Sequence, residues 1–259
     1  LFDLMGGGAG ADAFGEDLPD APDRPEKERL QDERDLLGVY LTGHPVDRYR
    51  TLVRSFRTVS AEAFPRVKRN RDAVRVAGIL ANVRVALSKT TKRPWAELTV
   101  EDGTGTVKAL AFNDAYERNK DALVADAPVL VCGEAKFEEG RDPVIFAAEI
   151  HPLAEAPALF AKSLRIHCRV DNDKPSAERM DRLRDLLAAH PGGFPLSLAL
   201  DLPGGRKALL EPDSAWAVDP TPDCLAAIEA IWGRNAVAYD LRSDAIYADP
   251  KRNRRRYGA

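Results

Sequence analysis

Between Ala73 and Leu153, apolar residues recur at every second position, and a period of two is the pattern of strands with one face to bury. The stretch "AVRVAGILANVRVALSK" alternates, slips phase near Gly78, and resumes with Val83, Val85 and Leu87 on one face. A glycine at a phase slip is what a bulge or a sharp bend requires. "PWAELTVEDGTG", "TVKALAF", a helical "DAYERNKDALVA", "APVLVCGEAKFEE" and "DPVIFAAEIHPL" follow. Asp102-Gly103 with Gly105 is a hairpin signal between the second and third strands. The order is three strands, a helix, then two strands.

Five strands with a helix between the third and fourth is the arrangement of an OB-fold, a small, partly open barrel. The flanking blocks differ in character. Residues 6–25 hold too few large apolar side chains to fold alone and read as a linker. From Glu26 to Leu41, the positions Leu30, Leu36, Leu37, Tyr40 and Leu41 suit a helix with one buried stripe. A second short helix, about residues 46–55, would bury Val46, Tyr49, Leu52 and Val53. Residues 164–242 read as a separate unit: strand "LRIHCRV", helix "AERMDRLRDLLAAH" and strands "PLSLALDL" and "KALLEP" around Gly204-Gly205. A second helix there has Thr221 as N-cap, Pro222 at N1 and Gly233 as C-cap, and strand "AVAYDL" closes the unit. The expected fold is therefore α+β and multidomain: a linker (1–25), a helical segment (26–65), a five-stranded OB barrel (66–153), a small α+β domain (164–242) and a solvated basic tail (243–259).

The 259 residues are 44% hydrophobic and 31% charged, enough to bury one large core or two modest ones. No apolar run approaches the ~20 residues of a membrane span. The opening "LFDLMGGGAG" lacks the basic and apolar regions of a signal peptide and begins as if inside a longer protein. Three scattered cysteines suit a reducing cytoplasm, and four dispersed histidines give no ligand spacing, so no metal site is expected. Net charge is −3, yet residues 66–93 carry nine basic side chains against the single acid Asp72. Such a strip can bind phosphate whatever the total charge.

Catalytic constellations are missing from the sequence. It has no dinucleotide fingerprint, P-loop, nucleophile elbow or His-Glu-x-x-His. His44, in the break Gly43-His44-Pro45, reads as a helix-end residue beside a turn proline. Glu101-Asp102 sits at a strand end, where acids are ordinary. The better candidate is a binding surface on the barrel, because OB-folds hold single strands with basic groups along the backbone and aromatics under the bases. Lys89, Lys92 and Arg93 precede Trp95 in the first loop. Trp95, Glu97 and Thr99 share one strand face; Thr106, Lys108, Leu110 and Phe112 share another, and Arg84 can join the exposed side. The residues alone leave a second reading open, in which Trp95 packs under the loop and the lysines only solvate it. The opening "LFDLM" reads as a docking motif for a hydrophobic pocket or as the scrap of a longer helix.

Four stretches together resemble the C-terminal region of bacterial replicative DNA polymerase III alpha subunits. "LFDLMGG" resembles the end of that family's sliding-clamp-binding motif, whose upstream glutamine is missing here. "ERDLLGVYLTGHPVDRY" is close to the segment that follows it, and "VRVAGIL…LTVEDGTGTVKALAF…VLVCGEAKFEE" is similar to the family's OB domain in order and length. "PDCLAAIEAIWG…VAYDL" looks like the end of its terminal domain. The resemblance implies a fragment without the catalytic palm, so that whether this chain is itself an enzyme stays open. The intact protein it implies is a DNA-directed DNA polymerase, a nucleotidyltransferase using Mg²⁺; the fragment itself has no cofactor.

On that resemblance, Leu1 and Phe2 fill the sliding clamp's pocket with Leu4 and Met5 flanking. Lys89, Lys92, Arg93 and Trp95 lie in the loop that faces single-stranded DNA template, Arg84, Lys108 and Phe112 join them from the strand alternation, and the terminal unit meets the tau subunit of the clamp loader. The alternatives are a stand-alone OB-fold single-strand-binding protein, an adaptor whose barrel binds only protein, and an OB-containing enzyme such as an aminoacyl-tRNA synthetase.

Overall fold

The structure, a computed structural model, describes residues 24–257 apart from 38, 39, 68, 69, 139, 172 and 244. The clamp-motif residues Leu1, Phe2, Leu4 and Met5, most of the linker, and Lys68 and Arg69 of the basic strip lie outside the described residues. The chain falls into two compact units, residues 1–42 and 43–259.

In the first unit, helix α1 spans Glu26–Leu37. Leu30 is buried, but Leu36, Leu37 and Leu41 are exposed, so the expected stripe is not covered and the helix ends short of Leu41. An apolar stripe is buried only where a second element lies over it. The Glu33 carboxylate folds the following chain back by accepting from the Thr42 hydroxyl and from the N–H groups of Thr42 and Leu41. These bonds hold its pKa below the usual carboxylate value, the Thr42 hydroxyl first among them.

The second unit begins at Gly43, and His44 opens a helix rather than ending one. Its Nδ1 accepts from the Val46 N–H at 3.1 Å, while the Asp47 carboxylate accepts from the His44 N–H, a reciprocal cap on a 3-10 turn over Pro45–Tyr49. Helix α2, Arg50–Phe56, continues from it and buries Leu52, Val53 and Phe56; Tyr49 is only partly covered.

The barrel strands are β1 Ala73–Leu87, β2 Pro94–Glu101, β3 Thr106–Phe112, β4 Pro128–Lys136 and β5 Val144–Pro152. Helix α3, Asp114–Asn119, lies between β3 and β4 and finishes in a 3-10 turn. Neighbours run β1-β2-β3-β5-β4, with β3 and β5 parallel and β4 returning to β1. The barrel is closed, not partly open, because β1 is long enough to pair Ala73–Ile79 with β4 and Ile79–Leu87 with β2. The bulge falls between Leu80 and Asn82, not at Gly78. Gly78 answers a different demand: a Cβ there would stand 2.1 Å from the Glu101 carbonyl oxygen.

Val76, Leu80, Leu98, Val100, Val107, Val131 and Ile145 fill the barrel. The other face of β1 and β4, through Ala77, Ile79, Leu130 and Cys132, joins a second core with α2 and the C-terminal sheet. This explains why the first half of β1 is buried on both faces while Val85 and Leu87, beyond it, are exposed.

Helix α4, Ala156–Phe160, leads into β6, Ala161–Arg169. Helix α5, Lys174–Ala189, crosses over to a short β7, Pro191–Phe194, and then β8, Leu196–Leu202, which is parallel to β6. After β9, Arg206–Leu210, helix α6, Pro222–Trp232, and β10, Val237–Leu241, complete a four-stranded sheet in the order β10-β6-β8-β9. Thr221 Oγ1 caps α6 by accepting from the Cys224 N–H, and Gly233 ends it with φ 94°. The architecture is thus mixed α and β around one closed five-stranded barrel.

The end of the chain corrects the expectation of a solvated tail. Ile246 and Tyr247 are buried, and helix α7 follows over Pro250–Tyr257. The Glu149 carboxylate of β5 accepts from the N–H groups of Ala248 (2.7 Å) and Asp249 (3.3 Å), and Arg75 of β1 donates to the Ala245 carbonyl. Asn253 Oδ1 accepts from the N–H groups of Ile246 and Tyr247. Composition showed the charges of this segment and not the two apolar residues that dock it.

Candidate nucleic-acid interface

The pleat of β2 sends Ala96, Leu98 and Val100 into the barrel and turns Trp95, Glu97 and Thr99 outward. On β3, Val107, Ala109 and Ala111 point in and Lys108, Leu110 and Phe112 point out. Register lines these residues into rows. One runs Ala86–Trp95–Phe112, the next Arg84–Glu97–Leu110–Phe146–Glu134, and a third Asn82–Thr99–Lys108–Val144–Lys136.

The first two rows bring three aromatic rings together. Trp95 and Phe112 stack with ring centroids 5.6 Å apart and 27° between planes. Phe146 meets Phe112 edge-on at 5.4 Å. Phe112 and Phe146 keep 38% and 37% of their surface exposed, so the cluster is a platform and not a core. The Lys136 ammonium lies 5.7 Å from the Phe146 ring centroid, and Lys108 borders an open depression of about 590 Å³ with Arg141, Asp142 and Val144.

The loop at the other edge is short and ordered. Ser88 and Arg93 close it backbone to backbone, Ser88 Oγ accepts from the Thr91 N–H, and Lys92 takes a left-handed φ of 56°. Lys89 and Lys92 are exposed at its tip. Arg93 pairs with Asp114 at 2.6 Å, tying the loop to the start of α3; an exposed pair of this kind opens at little cost. Trp95 therefore neither packs under the loop alone nor stands free, since it is half-buried against Phe112.

Of the residues expected from sequence, Arg84, Trp95, Lys108 and Phe112 share this outer face and Lys89, Lys92 and Arg93 flank it. Phe146 and Lys136 were missed. The alternation of "VIFAAE" marks Phe146 as outward, but only the parallel pairing of β3 with β5 sets it beside Phe112.

The acidic pair at the end of β2 is structural. The buried Asp102 accepts from Arg57 Nη1 (2.7 Å), the Ala61 N–H (2.9 Å), and the Thr104 N–H and hydroxyl. Glu101 lies 3.0 Å from His44 Nε2. One group of metal-type side chains stands among the described residues: Cys132, Glu149 and His151. Its donors are already committed. Both Glu149 oxygens hold the chain end, His151 turns Nε2 to Glu149, and burial pushes the Cys132 thiol well above its ordinary value. Burial likewise raises the Cys168 thiol to about 12 and Cys224 to about 11, so neither is a ready nucleophile.

Residues 74–153 match the family model of the OB-fold nucleic acid binding domain (tRNA_anti-codon). The DNA polymerase III subunit alpha of Pseudomonas aeruginosa is 34% identical over 217 residues, which is 83% of this chain and 18% of the relative. The chain is related to bacterial DNA polymerase III alpha subunits. The Saccharopolyspora erythraea subunit is 32% identical over 223 residues, again 18% of its length, so this chain spans about a fifth of the polymerases it matches. Among solved structures, the SSB domain of a Synechococcus protein covers 32% of this chain, with 96% of that domain matched, 14% identity and a TM-score of 0.28. Among the described residues, no helix is long and apolar enough to cross a membrane.

Proposed function

We propose that this chain is the C-terminal part of a replicative DNA polymerase III alpha subunit, and that its OB barrel holds single-stranded template for DNA synthesis. The carrying observation is the outward cluster of the half-buried Trp95 and the exposed Phe112 and Phe146, rimmed by Lys89 and Lys92 on one side and Lys108 and Lys136 on the other. Rings beneath the bases and cations beside the phosphates are what a single strand needs. Relatedness to the polymerase subunits and the matched OB model support the same reading.

The finer assignments follow from the resemblance. Leu1, Phe2, Leu4 and Met5 are assigned to the sliding clamp's pocket. The tau subunit is assigned to the C-terminal unit, at α6 or the strands near it. Nucleotidyl transfer and its Mg²⁺ are assigned to parts of the polymerase outside this chain, and the complex to the cytoplasm.

The test is fluorescence anisotropy of a labelled single-stranded oligonucleotide with the full 259-residue chain across a salt series. Affinity falls steeply with salt. Trp95→Ala and Phe146→Ala each weaken binding by roughly 1–3 kcal/mol, the value of one stacked base. The triple variant Lys89→Ala, Lys92→Ala, Arg93→Ala lowers the salt slope by about 2, at ~0.7 per lost phosphate contact. No binding at low salt would leave the barrel as a protein-contact module and overturn the single-strand reading.

A further inference from the structure

We infer that the aromatic platform discriminates between bases, favouring those with an exocyclic amino group over thymine, through the carboxylate of Glu97. This rests on the single-strand reading above. Glu97 follows Trp95 by two residues on the same outward face and lies diagonal to Phe112 across the β2–β3 pair. It is half-exposed, at the centre of the face and not at its rim. Arg84 stands opposite it in register, yet no ion pair joins them among the described residues.

A carboxylate at that point repels phosphate and can only accept hydrogen bonds. The cations that would take phosphates, Lys89, Lys92, Lys108 and Lys136, lie to either side. A base stacked on Trp95 therefore extends its edge, not its backbone, over Glu97. Cytosine and adenine present an amino group there, and guanine presents an N–H and an amino group side by side. Thymine offers one N–H flanked by two carbonyl oxygens, and both oxygens repel the carboxylate. Cytosine and thymine have rings of one size, so stacking separates them little and the edge decides.

The experiment compares labelled oligo-dC and oligo-dT of roughly 15 nucleotides, near the upper footprint of one OB barrel, with the full chain at neutral pH and fixed salt. Oligo-dC binds about five- to tenfold more tightly, the worth of a charge-assisted hydrogen bond reduced by partial exposure. In Glu97→Gln that ratio falls to near one, because the amide can donate to a thymine carbonyl as readily as it accepts. Glutamine keeps the size of the side chain on an outward position, so the barrel is retained. In Glu97→Gln oligo-dC loses the charge-assisted bond and binds more weakly, while oligo-dT gains as the repulsion between the carboxylate and the thymine oxygens is removed, so the ratio is the deciding readout. Trp95→Ala weakens both oligonucleotides. Equal binding of the two by the wild type, or a ratio unchanged in Glu97→Gln, overturns base discrimination and leaves single-strand binding standing. Failure to bind either oligonucleotide overturns both.

Discussion

Asp102 shows how much one side chain can organise. It closes the β2–β3 turn through Thr104 and holds the segment after α2 through Arg57 and the Ala61 amide, with no exposed surface of its own. Replacing it by alanine strands a partly buried guanidinium and a buried N–H. Asp102→Ala is expected to cost about 3–5 kcal/mol, the range for breaking one half of a buried pair, read as a lower urea midpoint at unchanged slope. Gly78 makes the complementary case, in which the demand is for an absent atom. Gly78→Ala sets a methyl against the Glu101 backbone and is expected to exceed the roughly 1–3 kcal/mol of ordinary overpacking, measured by the same denaturation. The sequence marked both positions as a turn acid and a strand glycine. It misassigned the reason for Gly78, because the atom that crowds it belongs to a residue 23 positions away.

At the scale of elements, the docked chain end depends on Glu149. Burial raises its pKa, but the bonds from His151 and from the N–H groups of Ala248 and Asp249 outweigh that and leave it below the ordinary carboxylate value. A carboxylate depressed in the folded state stabilises it fully above the unfolded pKa and loses that contribution as pH falls through the folded one. Docking of residues 245–253 is therefore expected to hold at neutral pH and loosen only in acid, below the ordinary carboxylate range. The amide resonances of Ala248 and Asp249 report it. Glu149→Gln is expected to shift both resonances at neutral pH and to remove their acid transition; unchanged resonances would show that the segment is anchored without Glu149, by Ile246, Tyr247 and the Arg75 bond to Ala245.

For the molecule as a whole, the shared core is the feature with the largest consequence. Leu130 on β4, Phe56 on α2, Leu164 on β6 and Ile228 on α6 belong to one buried cluster, so the outer face of β1 and β4 shares a core with the C-terminal sheet. Residues 43–259 are expected to unfold in one calorimetric transition. Leu130→Ala, at about 2–5 kcal/mol for a buried leucine, is expected to lower Tm for signals from Trp95 in the barrel and Trp232 in the C-terminal module alike. Two separated transitions would refute that coupling. What the sequence determined by itself is what short-range physics controls. Alternation set the strands, Asp102-Gly103 the hairpin, and Thr221, Pro222 and Gly233 the ends of α6, because each depends on a few consecutive residues. Tertiary structure alone decided the rest: which apolar stripes are covered, where β1 bends, that the barrel closes, that Ile246 and Tyr247 dock, and that Phe146 completes the aromatic row. Those outcomes depend on partners distant in the chain. A local pattern can say that a side chain faces outward, but only the paired neighbour says what it faces.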